Sequence, residues 1–362
     1  MKTFFILIRL FGLIYVLAET KEDVVYYVSP TEPLSSCPGN SSCPPGQLCH
    51  TIDYLVNHSS EFFSSDHVNI TLIFMCGIHN YTKNLFVQNF HSFVMKGTAE
   101  SKENSIIDHQ FNLVVGEPKC TLIQFFNVSF VNITTLTMRC PAIHLTESHI
   151  TVKSSNLNGH PGINESLSFI DITGRGSQTL LDNCTFKENC FIRSNLSDGI
   201  IVSNSTFQSY RHRSHSIIAA LSSVVRLAGN VNFTNSTKVI HSSTGTAVYL
   251  KGTHPKLKSS LNISTGAIVY FINLTCSGGG GAVYGWGAMM HIDTKATVIF
   301  MYNTVRDYGI GGAVKLRDGM ITVGAESSVI FTYNHASWGG GAIGLDHGTL
   351  IVLHKKEVVQ FL

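Results

Sequence analysis

The chain has 362 residues, 25 Lys and Arg against 23 Asp and Glu, and a formal net charge of +2. Only 13% of it is charged and its 17 His are dispersed, so no basic stripe exists for a nucleic acid to follow. After the first 18 residues no segment is long and apolar enough to span a bilayer as a helix.

Residues 1–18 begin with Lys2 and run through Phe4, Phe5, Ile6, Leu7 and Ile8 to Val16-Leu17-Ala18. This predicts a signal peptide cut after Ala18 and an extracellular protein, secreted or held at the cell surface. Residues 19–65 read as a Cys-containing N-terminal cap. In it Pro44-Pro45 precedes Leu48, Ile52 and Leu55, the spacing of an amphipathic helix of two or three turns. Such a helix would plug the open end of a first coil.

Residues 66–362 predict one elongated domain of stacked coils. Degenerate strands read at Ile70–Phe74, Phe125–Ile133, Ile143–Val152, Ser168–Ile172, Ile200–Val202 and Val224–Leu227. At about 30 residues per coil roughly ten coils fit, and a stack on the order of 50 Å long follows from an inter-strand spacing of about 4.8 Å.

The clearest signal is a repeat in the last third. Phe300-Met301-Tyr302-Asn303 and Phe331-Thr332-Tyr333-Asn334 precede Gly311-Gly312-Ala313-Val314 and Gly340-Gly341-Ala342-Ile343. Gly280-Gly281-Ala282-Val283 and the weaker Gly245-Thr246-Ala247-Val248 come earlier, so the four alanines recur every 29 to 35 residues. A period of this size marks a stack in which no unit buries its apolar face alone. Apolar positions alternate after each small pair, as in Val248/Leu250 and Val314/Leu316, so each begins a strand with one buried face. Ile321/Val323 and Val329/Phe331 supply two more strands per coil, with glycines between. The fold class expected is all-β, a parallel β-helix solenoid of the kind that pectate-lyase-like enzymes share, with a short N-terminal capping helix. Val248, Val283, Val314 and Ile343 are expected in one interior column. Asn303 and Asn334 are expected at turns, where Asn tolerates left-handed backbone angles and stacked amides form ladders. The chain stops about where another F-x-x-N falls due, which predicts an incomplete C-terminus with an anchor or further domain beyond it.

The paired F-x-x-N and G-G-A-[ILV] motifs resemble the polymorphic outer membrane protein repeats of chlamydial adhesins. They are also similar to extracellular β-helix proteins of sponges, as is Tyr26-Tyr27-Val28-Ser29-Pro30 with its clustered Cys. The match covers about residues 245–345. In the preceding unit Phe271-Ile272-Asn273 has its Asn one place early. The resemblance implies a right-handed parallel β-helix, an adhesive or recognition surface and no catalytic residues.

Fourteen N-glycosylation sequons agree with secretion. They begin at Asn40, Asn57, Asn69, Asn80, Asn127, Asn132, Asn164, Asn183, Asn195, Asn204, Asn232, Asn235, Asn262 and Asn273, and none follows. Nine Cys in an oxidising compartment favour disulfides. Cys184 and Cys190 flank a short turn, Cys120 and Cys140 suit neighbouring coils, and Cys37, Cys43, Cys49 and Cys76 suit two bonds near the N-terminus. Cys276 is left over. No C-x-x-C pair exists, so no metal site is expected, and nothing in the chain calls for a cofactor.

Two function classes follow. One is a non-catalytic adhesion or recognition scaffold whose partners are cell-surface or matrix glycans or proteins. Tyr249, Tyr284, Trp286 and Trp338 are its candidate surface contacts, with the aromatic area to stack on sugars or meet a protein. The other is a polysaccharide lyase or glycoside hydrolase, which needs clustered carboxylates or a calcium site. Its nearest candidates are Asp318 and Asp346, read as occupying the same bend one coil apart, and the isolated His160. A turn residue before Gly explains both Asp as well.

Overall fold

The computed structural model describes residues 22–28, 49–51, 54–55, 67–75, 77–80, 84–87, 92–97, 105–108, 112–115, 122–126, 129–133, 143–146, 149–159, 168–187, 191–208, 211–212, 216–241, 245–252, 258–307, 309–352 and 358–362. Their strands form three parallel sheets, here called A, B and C, of 13, 14 and 10 strands. The chain visits the sheets in rotation. Met320–Val323 in sheet A leads to Ser328–Thr332 in sheet B and Ile343–Asp346 in sheet C, then to Thr349–Val352 back in sheet A. Each strand pairs with its equivalent one coil away, which makes the chain a parallel β-helix.

The interior columns explain why these sequences stack. Val248, Val283, Val314 and Ile343 pair in direct register on sheet C as expected, the first three fully buried. On sheet B, Phe186, Phe207, Phe233, Phe271, Phe300, Phe331 and Phe361 stack face to face, centroids 4.5–5.2 Å apart. Coil spacing imposes that separation. Each fully buried Phe contributes about 1.5–3 kcal/mol relative to exposure. Beside the alanine column the backbones of adjacent coils nearly touch. A Cβ on Gly281 would lie 2.0 Å from Gly312 O, and one on Gly312 would lie 1.9 Å from Gly341 O. Only glycine fits there.

The Asn positions differ from expectation. The left-handed residues at this turn are Tyr302 (φ 55°) and Tyr333 (φ 52°), not the Asn that follow them. Asn303 is buried instead. Its amide donates to Phe271 O (2.9 Å) and Asn334 Oδ1 (2.9 Å), and its Oδ1 accepts from Leu274 N (3.2 Å). Asn334 likewise donates to Phe300 O at 2.9 Å. These amides satisfy buried backbone groups at the corner, so they form a ladder and line no ligand groove. Phe271 pairs with Phe300, which sets Asn273 opposite Tyr302 and Leu274 opposite Asn303. The early Asn therefore occupies the left-handed site, with φ 54°.

Other expectations divide. The predicted strands Phe125–Ile133 and Ile143–Val152 each span a corner. The observed strands are Leu122–Phe126 and Ser129–Ile133 in sheets A and B, then Ile143–Thr146 and His149–Lys153 in sheets C and A. The two- or three-turn capping helix is not seen. Among the described residues only Tyr54 and Leu55 are helical, with Leu55 N bonded to Thr51 O and Tyr54 N to Thr51 Oγ1, and Cys49–His50 is a strand paired with Tyr27 and Val28. Other residues of that expected helix lie outside the described ones. Cys184 is a buried thiol that donates to Val152 O (3.3 Å), not half of a bond to Cys190. Cys276 is also a buried thiol, donating to Gly279 O and Gly280 O. The leader, His160 and the remaining cysteines apart from Cys49 lie outside the described residues.

Candidate recognition surface

The residues that alternate with the interior of sheet C point outward, and in the later coils they are aromatic or cationic. Tyr249, Tyr284 and Lys315 form one column, each in register with the next. Lys251, Trp286, Arg317 and Asp346 form the column beside it. Tyr249 and Tyr284 stack at 5.9 Å. Lys315 Nζ lies 5.8 Å from the centre of the Tyr284 ring. Trp286 lies between Lys251 in one coil and Arg317 in the next, at 5.5 and 5.2 Å. Such contacts contribute about 0.5–1 kcal/mol each at exposed sites. Trp286 is nonetheless 43% exposed, whereas Tyr284 is buried. Burial pushes the Tyr249 hydroxyl above its ordinary range, with Tyr284 adding to the effect. Burial draws Lys315 down, opposed by Asp346 and assisted by Arg317.

Three of the four aromatic residues singled out from the sequence thus come together. Trp338 stands elsewhere, 72% exposed in the connection from sheet B to sheet C, its N donating to Gly309 O. Sequence reading missed the cations. Lys251, Lys315 and Arg317 hold the same outward registers as the aromatics, and that alternation was the available signal. It also missed Tyr302 and Tyr333, exposed and stacked at 5.2 Å.

The two carboxylates weighed as catalytic meet around one guanidinium. Arg317 Nε lies 3.8 Å from Asp318 Oδ2 and 3.7 Å from Asp346 Oδ2. His347 lies 3.8 Å from an oxygen of each. Asp318 is not level with Asp346, because Arg317 pairs with Asp346. Asp318 and His347 are instead the left-handed residues of this turn, with φ 51° and 52°, at the place that Gly287 takes one coil earlier. All four side chains are 42–83% exposed, where ion pairs contribute about 0–1 kcal/mol. The geometry is that of a charged turn. No group of three or more His, Cys, Asp or Glu among the described residues could hold a metal ion.

The sequons fall into distinct settings. Asn183 and Asn204 are exposed at bends, and Asn235 and Asn273 are exposed within the strands Asn230–His241 and Ile268–Ser277, each with φ between 49° and 54°. Asn273 Nδ2 donates to Asn235 Oδ1 at 3.0 Å. Asn195, Asn232 and Asn262 are half-buried on strands, and Asn69, Asn80 and Asn132 also fall in strands. Asn40, Asn57, Asn127 and Asn164 lie outside the described residues. No helix among the described residues is long and apolar enough to cross a membrane.

No protein-family model and no curated protein matches the chain. Among solved structures, the crystal structure of Escherichia coli YbhC aligns over 94% of this chain and 88% of its own, with 12% identity and a TM-score of 0.28. The structure of the Streptococcus pneumoniae surface protein and adhesin PfbA aligns over 83% and 96%, with 11% identity and a TM-score of 0.28. These values carry neither fold nor function to this chain, whose architecture rests on its own strand register.

Proposed function

We propose that this chain is a non-catalytic recognition scaffold, secreted or displayed at the cell surface as a glycoprotein. It binds a matrix or cell-surface partner through the outer face of sheet C. The observation that carries this reading is the pair of columns in which Lys251, Trp286, Arg317 and Lys315 share an outward face with stacked tyrosines. Aromatic and Arg side chains are the usual anchors of interfaces, and no sequon follows Asn273 to shield these later coils. The likeness of the repeats to adhesin repeats supports the same role. The four exposed sequons at Asn183, Asn204, Asn235 and Asn273 are the best placed to carry glycans. The leader and the sequon excess support secretion, with residues 1–18 removed, 19–65 as cap and 66–362 as the solenoid.

The test uses full-length protein secreted from animal cells. It should bind matrix or cell-surface preparations saturably, and Trp286→Ala with Arg317→Ala should weaken that binding about tenfold while lowering the thermal midpoint by only a few degrees, the loss of about 1–2 kcal/mol of ring–cation contact. Binding unaffected by the pair would remove sheet C from the reading. Release of reducing or unsaturated ends from polysaccharides would replace the scaffold with an enzyme.

A further inference from the structure

A second surface lies on the outer face of sheet A, where an open polar groove of about 420 Å³ is lined by Arg226, Asn262, Ser264, Thr265, His291 and Asp293. Three of these form one column. Arg226 pairs with Asn262 and Asn262 with His291, so guanidinium, amide and imidazole repeat at about 4.8 Å along the stack. The other three come from the turns that leave the same strands. Ser264 follows Ile263 and Asp293 follows Ile292, and those two isoleucines are paired.

The protein itself engages only some of the polar groups of the groove. Asn262 Oδ1 is buried beneath the groove wall with no protein donor, so it lies out of a ligand's reach. Arg226 is exposed, and no ion pair among the described residues involves it. His291 Nδ1 is bonded to Thr322 Oγ1 at 2.5 Å, which fixes the ring and leaves Nε2 for another partner. Asp293, when ionised, only accepts, and the two hydroxyls both donate and accept. A ligand that suits this set brings hydroxyl donors for Asp293, hydroxyls to exchange hydrogen bonds with Ser264 and Thr265, and an anion for Arg226. A phosphodiester brings no donor. A neutral sugar leaves the guanidinium idle, and a densely charged chain meets Asp293.

We propose that this groove binds a saccharide unit bearing one anionic substituent, a carboxylate or a sulfate. Sugar hydroxyls donate to Asp293 and exchange hydrogen bonds with Ser264 and Thr265, and Arg226 pairs with the anion. Asn262 begins a sequon, so the open groove also requires that this site carry no glycan.

Calorimetric titration of the secreted full-length protein tests this with three oligosaccharides of matched length: one containing uronate, one sulfated and one neutral. At least one anionic probe should bind about tenfold more tightly than the neutral one. The anionic probe that binds identifies the substituent. Arg226→Ala should abolish the preference and weaken binding about tenfold, the loss of one charge-assisted contact. Arg226 is exposed, and an unchanged thermal midpoint establishes that the variant is folded. Trp286→Ala, on sheet C, should leave this binding unchanged, whether or not sheet C binds a matrix partner. Equal affinity for all three probes, binding to none, loss with Trp286→Ala but not Arg226→Ala, or a glycan mapped to Asn262 would each overturn the proposal.

Discussion

Replacing Lys238 with methionine should stabilise the protein, against the usual direction of a core substitution. Lys238 is 3% exposed and its Nζ has no hydrogen-bond partner among the described residues. Thr237 pairs with Thr275, the register shifts beyond them, and Cys276 of the next coil lies close enough to act on the Lys238 charge. Burial lowers the amine from 10.5 to about 8, and Cys276 opposes the shift. That gap corresponds to about 3 kcal/mol. The folded value is the depressed one for a cation, so the penalty is fully present below pH 8. It fades as pH rises and is gone above 10.5, where the unfolded amine is also neutral. At pH 7, Lys238→Met should therefore gain up to about 3 kcal/mol, and the advantage should close between pH 8 and 10.5. Cys276 would obscure this. Its thiol is raised by burial from 9 to about 11, so its contribution holds below pH 9 and is lost as pH rises toward 11. The comparison belongs in a Cys276→Val background, since Val305 holds that register one coil later. Denaturant midpoints at pH 7, 8, 9 and 10 give the curve. A lower midpoint for Lys238→Met at pH 7, or parallel curves across the range, would refute the reasoning.

Three further expectations rest on close packing, the buried amides and the charged turn. Gly312→Ala should destabilise by more than about 3 kcal/mol, because its Cβ would sit 1.9 Å from Gly341 O. Gly339→Ala, with nothing within 4 Å of its Cβ, should be nearly silent in the same thermal melt. Asn303→Leu copies the residue one coil earlier, yet it strands Phe271 O and Leu274 N. It should cost about 2–4 kcal/mol in denaturant unfolding, and a neutral result would mean that the ladder does not hold the corner. Asp318→Asn and Asp346→Asn should each shift stability by less than about 1 kcal/mol at half-exposed sites; a larger loss would give the turn a role beyond surface charge.

What could be read from the sequence, and what could not, separates along one physical line. The column of Val248, Val283, Val314 and Ile343 was legible because a buried strand face forces alternation within four residues, and each unit repeats it. The role of Asn303 was not. Asn is equally suited to a left-handed turn and to an inward amide, and a shift of one residue exchanges the two. Only the pairing of Phe271 with Phe300 assigns Asn273 to the first role and Asn303 to the second. The divisions inside Phe125–Ile133 and Ile143–Val152 were hidden because neither segment contains a Gly or Pro to separate its two strands. The outward sites were least legible. Arg226, Asn262 and His291 are separated by 36 and 29 residues, so uneven loops displace them in sequence while the coils align them in space. Trp286 and Arg317 were separately visible, but their contact exists only across coils. In a solenoid, chemistry is assembled along columns perpendicular to the chain. A motif search along the sequence therefore finds the frame, and the surfaces emerge when register sets residues of different coils side by side.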